Sequence, residues 1–157
     1  MAVRLDSNCC RVSRKTNGVE KGNMMQFSTT SDYAIRTVLY LALHAERCCT
    51  AGEIEENMKV PATYLHKVTK QLKNAGIVRA VKGNGGGYTL MKAADQTSLY
   101  DILSLTEQTL EINGCLENEA FCSRHSTDIC PVRKVYTGLN AMLKEGLKQA
   151  TIKQLLM

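Results

Sequence analysis

Four of the five residues from 83 to 87 are glycine, and they stand between two strand-like runs that directly follow an amphipathic helix. Ile77 to Val81 reads as one strand, Lys82-Gly83-Asn84-Gly85-Gly86-Gly87 as a turn, and Tyr88 to Met91 as the returning strand. Glycine accepts positive φ and lets the backbone approach a neighbour closely, so this run closes a hairpin. It does not read as a nucleotide phosphate cradle. Such a cradle precedes a helix and carries Gly-Lys-Ser/Thr, whereas a strand follows here.

The residues before the hairpin give it a setting. Thr50 is placed to cap a short helix from about Ala51 to Met58, which Val60-Pro61 ends. Proline suits the start of the next helix, predicted from Ala62 to Asn74 and closed by Ala75-Gly76. Leu65, Val68 and Leu72 line its inner face, while Thr63, Tyr64, His66, Lys67, Lys70 and Lys73 lie outside that stripe. Two helices joined by a short turn, the second with a basic outer face, match a helix-turn-helix; the hairpin is then its wing. Upstream, Ser28 to Ser31 offer caps and Asp32 suits the first turn of another helix. Ala34, Ile35, Val38, Leu39, Leu41, Ala42 and Ala45 extend its apolar face to about Arg47.

Charge placement agrees. From Asn57 to Ala94 there are seven Lys or Arg and no Asp or Glu, within a chain of formal charge +5. That block is +7, so the remainder is −2, which is the footprint of a phosphate-binding surface. A solvated face would interleave both signs.

Downstream, Ser98 caps a helix over residues 98–107 with Leu99, Ile102, Leu103 and Leu105 apolar. The segment from about Ile112 to Ile129 is polar and irregular. A long helix is predicted from about Asp128 to the C-terminus, with Val132, Val135, Tyr136, Leu139, Met142, Leu143 and Leu147 at helical spacing. That stripe packs back on the domain or, as the better expectation for a helix-turn-helix protein reading two half-sites, pairs with a second copy. The expected class is mainly α with a small β-hairpin. It divides into a disordered basic tail (1–24), a winged helix-turn-helix (25–95), a linker helix with a cysteine-rich sensor loop (96–127) and a dimerisation helix (128–157). The tail ends in Met24-Met25 and reads as an upstream extension of a protein starting at Met25. It lacks the apolar core of a secretion signal, and no apolar run approaches the ~20 residues of a membrane span, so a cytoplasmic protein is expected.

Seven cysteines, an odd number, argue against a disulfide framework. Cys9-Cys10 and Cys48-Cys49 are adjacent pairs without ligand-like neighbours, and the second pair is expected to pack. Cys115, Cys122 and Cys130 cluster within sixteen residues of a segment too polar for a core. Three soft thiolates suit an iron–sulfur cluster (4Fe–4S or 2Fe–2S), zinc or Cu(I), with one position left to fill. No paired carboxylates, Ser/His/Asp set or nucleotide loop is placed for catalysis, so an enzyme is not expected.

Pro61-Ala-Thr-Tyr-Leu65, Leu72-Lys-Asn-Ala-Gly-Ile-Val78 and Val81-Lys-Gly-Asn-Gly-Gly-Gly-Tyr88, with Phe27-Ser-Thr-Thr-Ser-Asp-Tyr-Ala-Ile-Arg36, closely resemble the Rrf-two (Rrf2) family of bacterial transcription regulators. The resemblance runs from about Met25 to the end. It implies a homodimeric repressor on a pseudo-palindromic operator in double-stranded DNA, with long C-terminal helices crossing. Matching positions place Thr63, His66 and Lys67 at base edges, and Lys82 and Asn84 at the backbone or minor groove. IscR-like members carry Glu where His66 stands, and an imidazole does not accept from cytosine as a carboxylate does, which implies a different operator.

The family's cluster-binding members place three cysteines in this segment. IscR-like members add a His three residues after the last cysteine, a position held here by Arg133. The NsrR-like, nitric-oxide-sensing branch resembles this chain in its acid before Tyr-Ala, here Asp32, supplied from the other subunit. His125 is the alternative fourth ligand. Asp32 also reads as an ordinary helix-dipole carboxylate and His125 as a solvated loop residue. The rival function is a cluster-free regulator of the same family acting through thiol oxidation, structural zinc or a protein partner.

Overall fold

Ser28 takes an extended conformation and its Oγ accepts from the Ser31 amide at 3.3 Å, which starts α1 (Thr29–Leu43). The computed structural model describes residues 26–83 and 85–157; the tail expected over 1–24 and the wing residue Asn84 lie outside the described residues. α1 buries Ala34, Val38 and Leu41 and holds Ile35, Leu39 and Ala42 partly buried. It ends at Leu43 rather than near Arg47, and Ala45 is exposed. The reason is tertiary. Cys49 is fully buried and pairs with Tyr88 of the wing (Cys49 N–H to Tyr88 O 2.9 Å, Tyr88 N–H to Cys49 O 2.8 Å), so the chain must leave the helix to reach it.

Thr50 caps α2 (Ala51–Met58) through a capping box, its hydroxyl accepting from Glu53 N–H while the Glu53 carboxylate accepts from Thr50 N–H. Pro61 precedes α3 (Ala62–Asn74), whose Leu65, Val68, Thr69 and Leu72 face the core. Gly76 at φ +72 turns the chain out of α3 into the wing. β1 (Val78–Val81) and β2 (Gly87–Leu90) pair antiparallel, with Val78 opposite Leu90 and Val81 opposite Gly87.

Gly87 is where the wing meets the body. A Cβ there would stand 2.2 Å from Cys49 O and 2.7 Å from Cys49 C. Any side chain must break the Cys49–Tyr88 bridge or displace the wing. Gly87→Ala is therefore expected to destabilise by about 2–4 kcal/mol, from overpacking and two strained buried hydrogen bonds. That lowers Tm by roughly 5–15 °C. A Gly87→Ala protein melting with the wild type would contradict this account of the wing.

Ser98 and Asp101 form a second capping box at α4 (Leu99–Thr106), and Lys92 reaches Asp101 at 3.1 Å. The segment expected to be irregular contains a single turn, α5 (Gly114–Glu117), and a 3-10 turn (Glu119–Phe121). α6 (Pro131–Gln149) starts with the Cys130 sulfur as its cap and proline in its first turn.

The last helix was expected to run to the C-terminus, but it stops at Gln149, and a separate turn, α7 (Ile152–Leu155), follows. Thr151 caps α7, and the 150–153 backbone pairs with the start of α4 (Leu99 N–H to Ala150 O 2.9 Å, Ile152 N–H to Thr97 O 2.9 Å). Ile152 is thereby fully buried in the same core as Ala34, Val38, Leu72 and Ile102. No helix among the described residues is long and apolar enough to cross a membrane.

Candidate nucleic-acid interface and cysteine loop

The buried Leu65–Val68–Leu72 stripe turns the opposite side of α3 outward. Thr63, His66, Lys67 and Lys70 are exposed there, and Lys82 is exposed at the wing. Between helix and wing lies an open groove of about 450 Å³ lined by His66, Lys67, Thr69, Lys70, Lys73, Ala80 and Tyr88. Its three lysines suit a polyanion. Tyr64 is only 40% exposed because it sits edge-on to Tyr33 of α1, ring centroids 5.1 Å apart. It braces the start of α3 as well as facing solvent.

Asp32 lies on the outer face of α1, paired with Arg36 at 2.7 Å. Arg36 also donates to Met58 O (3.3 Å) and lies 5.8 Å above the Tyr33 ring. This one guanidinium links the first turn of α1, the end of α2 and, through Tyr33, the start of α3.

Cys115, Cys122 and Cys130 are free and half-buried, at α5, after the 3-10 turn and at the cap of α6. Arg133 gathers these elements. Its Nε donates to Cys115 O (3.2 Å), its Nη2 pairs with Glu119 (3.2 Å), and its backbone N–H points at the Cys130 sulfur (3.5 Å). Sequence reasoning used Arg133 only as the absence of a histidine; its role as a clamp has no local signature. The Cys122 thiol is drawn below the usual thiol range, first by the Ser126 backbone N–H and then by that of Arg124.

The donors fit a thiophilic metal group in kind: three unpaired thiols, partly shielded, with backbone N–H groups directed at two of the sulfurs. They are not gathered at one point. Among the described residues no three His, Cys, Asp or Glu side chains converge to hold one ion. His125 is exposed in the loop, in the left-handed region at φ +47. Cys49, by contrast, is core, and burial pushes its thiol up, as packing rather than chemistry requires.

Two polar joints hold the loop's entry. Glu111 accepts from Asn140 and Lys144 of α6, and Asn140, almost fully buried, accepts from Ile112 N–H at 2.9 Å. Glu107, at the end of α4, accepts from Ser28 N–H at 2.6 Å and from the Ser31 hydroxyl at 2.5 Å. Burial alone would raise the Glu107 carboxyl; these hydrogen bonds outweigh it and leave it lowered. Beyond the loop, α6 leaves Val132, Val135, Leu139 and Met142 exposed along one face. Leu139, Leu143, Tyr136, Ile112 and Asn113 line an apolar groove of about 330 Å³ at the foot of the loop.

Residues 27–157 match the family model described as Rrf2, iron-dependent transcriptional regulator. The transcriptional regulator NsrR of Halalkalibacterium halodurans is 30% identical over 135 residues, covering 84% of this chain and 90% of that protein. The regulator IscR of Pectobacterium carotovorum is 26% identical over 132 residues, covering 83% of this chain and 79% of its own length. Among solved structures, CymR, the global cysteine regulator of B. subtilis, superimposes with a TM-score of 0.71 at 26% identity, covering 85% of this chain and 97% of CymR. The basic winged helix-turn-helix and the family match agree: this chain belongs to the Rrf2 family of DNA-binding transcriptional regulators and is not an enzyme.

Proposed function

We propose that this regulator is a cytoplasmic homodimeric repressor whose grip on a pseudo-palindromic operator is set by an iron–sulfur cluster on Cys115, Cys122 and Cys130. The observation that carries this reading is the position of the three free cysteines: one clamped loop joins the winged domain to a helix whose apolar face has no partner among the described residues. The family's description as iron-dependent, with the NsrR and IscR regulators among the relatives, supports it. Asp32 of the partner subunit is the preferred fourth ligand, with His125 the alternative.

When bound, such a cluster supplies iron reactive towards nitric oxide or oxygen. The residues of the chain do the rest. The thiolates and Arg133 hold the loop closed. A carboxylate drawn from Asp32 towards the loop releases Arg36, which then bears differently on Met58 O and Tyr33 beside the recognition helix. The apolar face of α6 packs against its copy and sets the separation of the two α3 helices.

On DNA, Thr63, His66 and Lys67 face base edges, Tyr64 borders them at the start of α3, and Lys70, Lys82 and Asn84 meet phosphate or the minor groove. Two substitutions separate these roles. Lys70→Ala is expected to weaken binding about equally on all sequences and to reduce the slope of log affinity against log salt by roughly 1. His66→Ala is expected to cost about 1–3 kcal/mol on the preferred duplex and to relax preference at one base position. Anisotropy titrations over a salt series, with duplexes selected by the wild-type protein from a random pool, read both. Unchanged salt slope and unchanged preference would remove α3 from the interface.

A further inference from the structure

The end of α4 touches both other walls of the DNA-binding domain. Leu105 O accepts from Gln71 Nε2 of α3 at 3.1 Å, while Thr106 and Glu107 meet Ser31, and Glu107 meets Ser28 N–H, at the start of α1. Only Gln108, Thr109 and Leu110 then separate Glu107 from Glu111, which is tied to α6. One turn of chain is thus bonded to the recognition helix, to the helix that carries Asp32, and through three residues to the base of the cysteine loop.

Gln71 is the notable partner. Its Oε1 is buried without a hydrogen bond, the one such side-chain atom found among the described residues. Turning the amide over would set two acceptors, Oε1 and Leu105 O, against each other, so the carbonyl fixes its orientation. A buried acceptor left unpaired costs free energy in the arrangement that strands it, so this arrangement of Gln71 is held against a bias towards leaving it. Gln71 does not itself face DNA. It lies next to the buried Leu72 and bonds inward, away from the His66–Lys67–Lys70 face.

We propose that Gln71 is a positioning residue, and that its hydrogen bond to Leu105 O is the joint through which movement at the cysteine loop changes the set of the recognition helix. The inference rests on the reading of the chain as a loop-controlled DNA-binding regulator. It does not need a particular cofactor, because the joint is built from α3, α4 and the Glu111 tie.

The test is a double-mutant cycle on operator affinity. Glu111→Ala loosens the base of the loop without touching a cysteine or a DNA-facing residue. Gln71→Met keeps the side chain's length and removes its hydrogen bond. Glu111→Ala is expected to change affinity for a selected duplex at least fivefold in the wild-type background and less than twofold in the Gln71→Met background. The same fold-change in both backgrounds, or less than twofold in the wild type, would overturn the joint. Lys144→Ala, which releases the same tie from the α6 side, replaces Glu111→Ala if that protein melts early. Iron content of the same samples separates the two ideas. A coupled cycle in iron-free protein sinks the cluster and leaves the joint; a non-coupled cycle in iron-bearing protein does the reverse.

Discussion

Cys122→Ala protein purified without air is expected to be colourless and to hold less than about a tenth of the wild-type iron, because loss of one of three thiolate ligands exceeds the 10–100-fold effect typical of outer-sphere changes. Cys122 is the ligand whose loss is most informative. Its thiol is already drawn towards the thiolate by the backbone N–H groups of Ser126 and Arg124, and it packs in no core. Removing it should leave the fold intact. Cys48→Ala is the control, a half-buried cysteine outside the loop, and should retain full colour. Equal iron in wild type and Cys122→Ala would detach the loop from any metal. Zinc in place of iron would shift the account to a structural site.

The second large effect concerns the helix face rather than the loop. Val135 (60% exposed), Leu139 (50%) and Met142 (73%) are too apolar and too contiguous to be left in water, on a helix that buries only Asn140 and Leu147 against its own subunit. Leu139 also lines the groove at the foot of the loop. Leu139→Asp places a carboxylate in the proposed interface of each subunit, and twofold symmetry makes it act twice. An uncompensated buried charge costs about 3–5 kcal/mol, so the dimer should weaken at least about a thousandfold. Light scattering during size exclusion reads the mass, and the unchanged far-ultraviolet circular dichroism of a monomer shows that the domain survives. A Leu139→Asp protein that remains dimeric would place the interface elsewhere.

The winged domain was legible because its signals are local. Thr50, Pro61 and Ala75-Gly76 mark ends that capping chemistry dictates, and α2 and α3 fall between them as expected. The Leu65–Val68–Leu72 stripe announces both the core face and the basic face opposite it. Where local signals compete with pairing across the fold, sequence pattern misplaces the helix ends. Nothing in Leu43–Arg47 stops a helix; the pairing of Cys49 with Tyr88 does. The break after Gln149 has a local cue that the apolar stripe overrode, Thr151 with Gln154 three residues on.

The candidate site shows the same division. Cysteine spacing exposed the loop, whereas the clamp by the Arg133 side chain, the Glu111–Asn140–Lys144 tie and the Gln71–Leu105 bond join residues 14 to 34 apart in sequence and leave no pattern to read. These contacts are visible only once α4 and α6 are packed.

The most direct test of the central claim is operator affinity of one anaerobic wild-type sample, of measured iron and sulfide content, before and after addition of nitric oxide at fixed salt. The account predicts iron-bearing protein with broad visible absorption that bleaches as affinity for a selected duplex falls at least tenfold. Iron-bearing protein whose affinity is unchanged by bleaching, or iron-free protein that binds the duplex with the same affinity throughout, would contradict it.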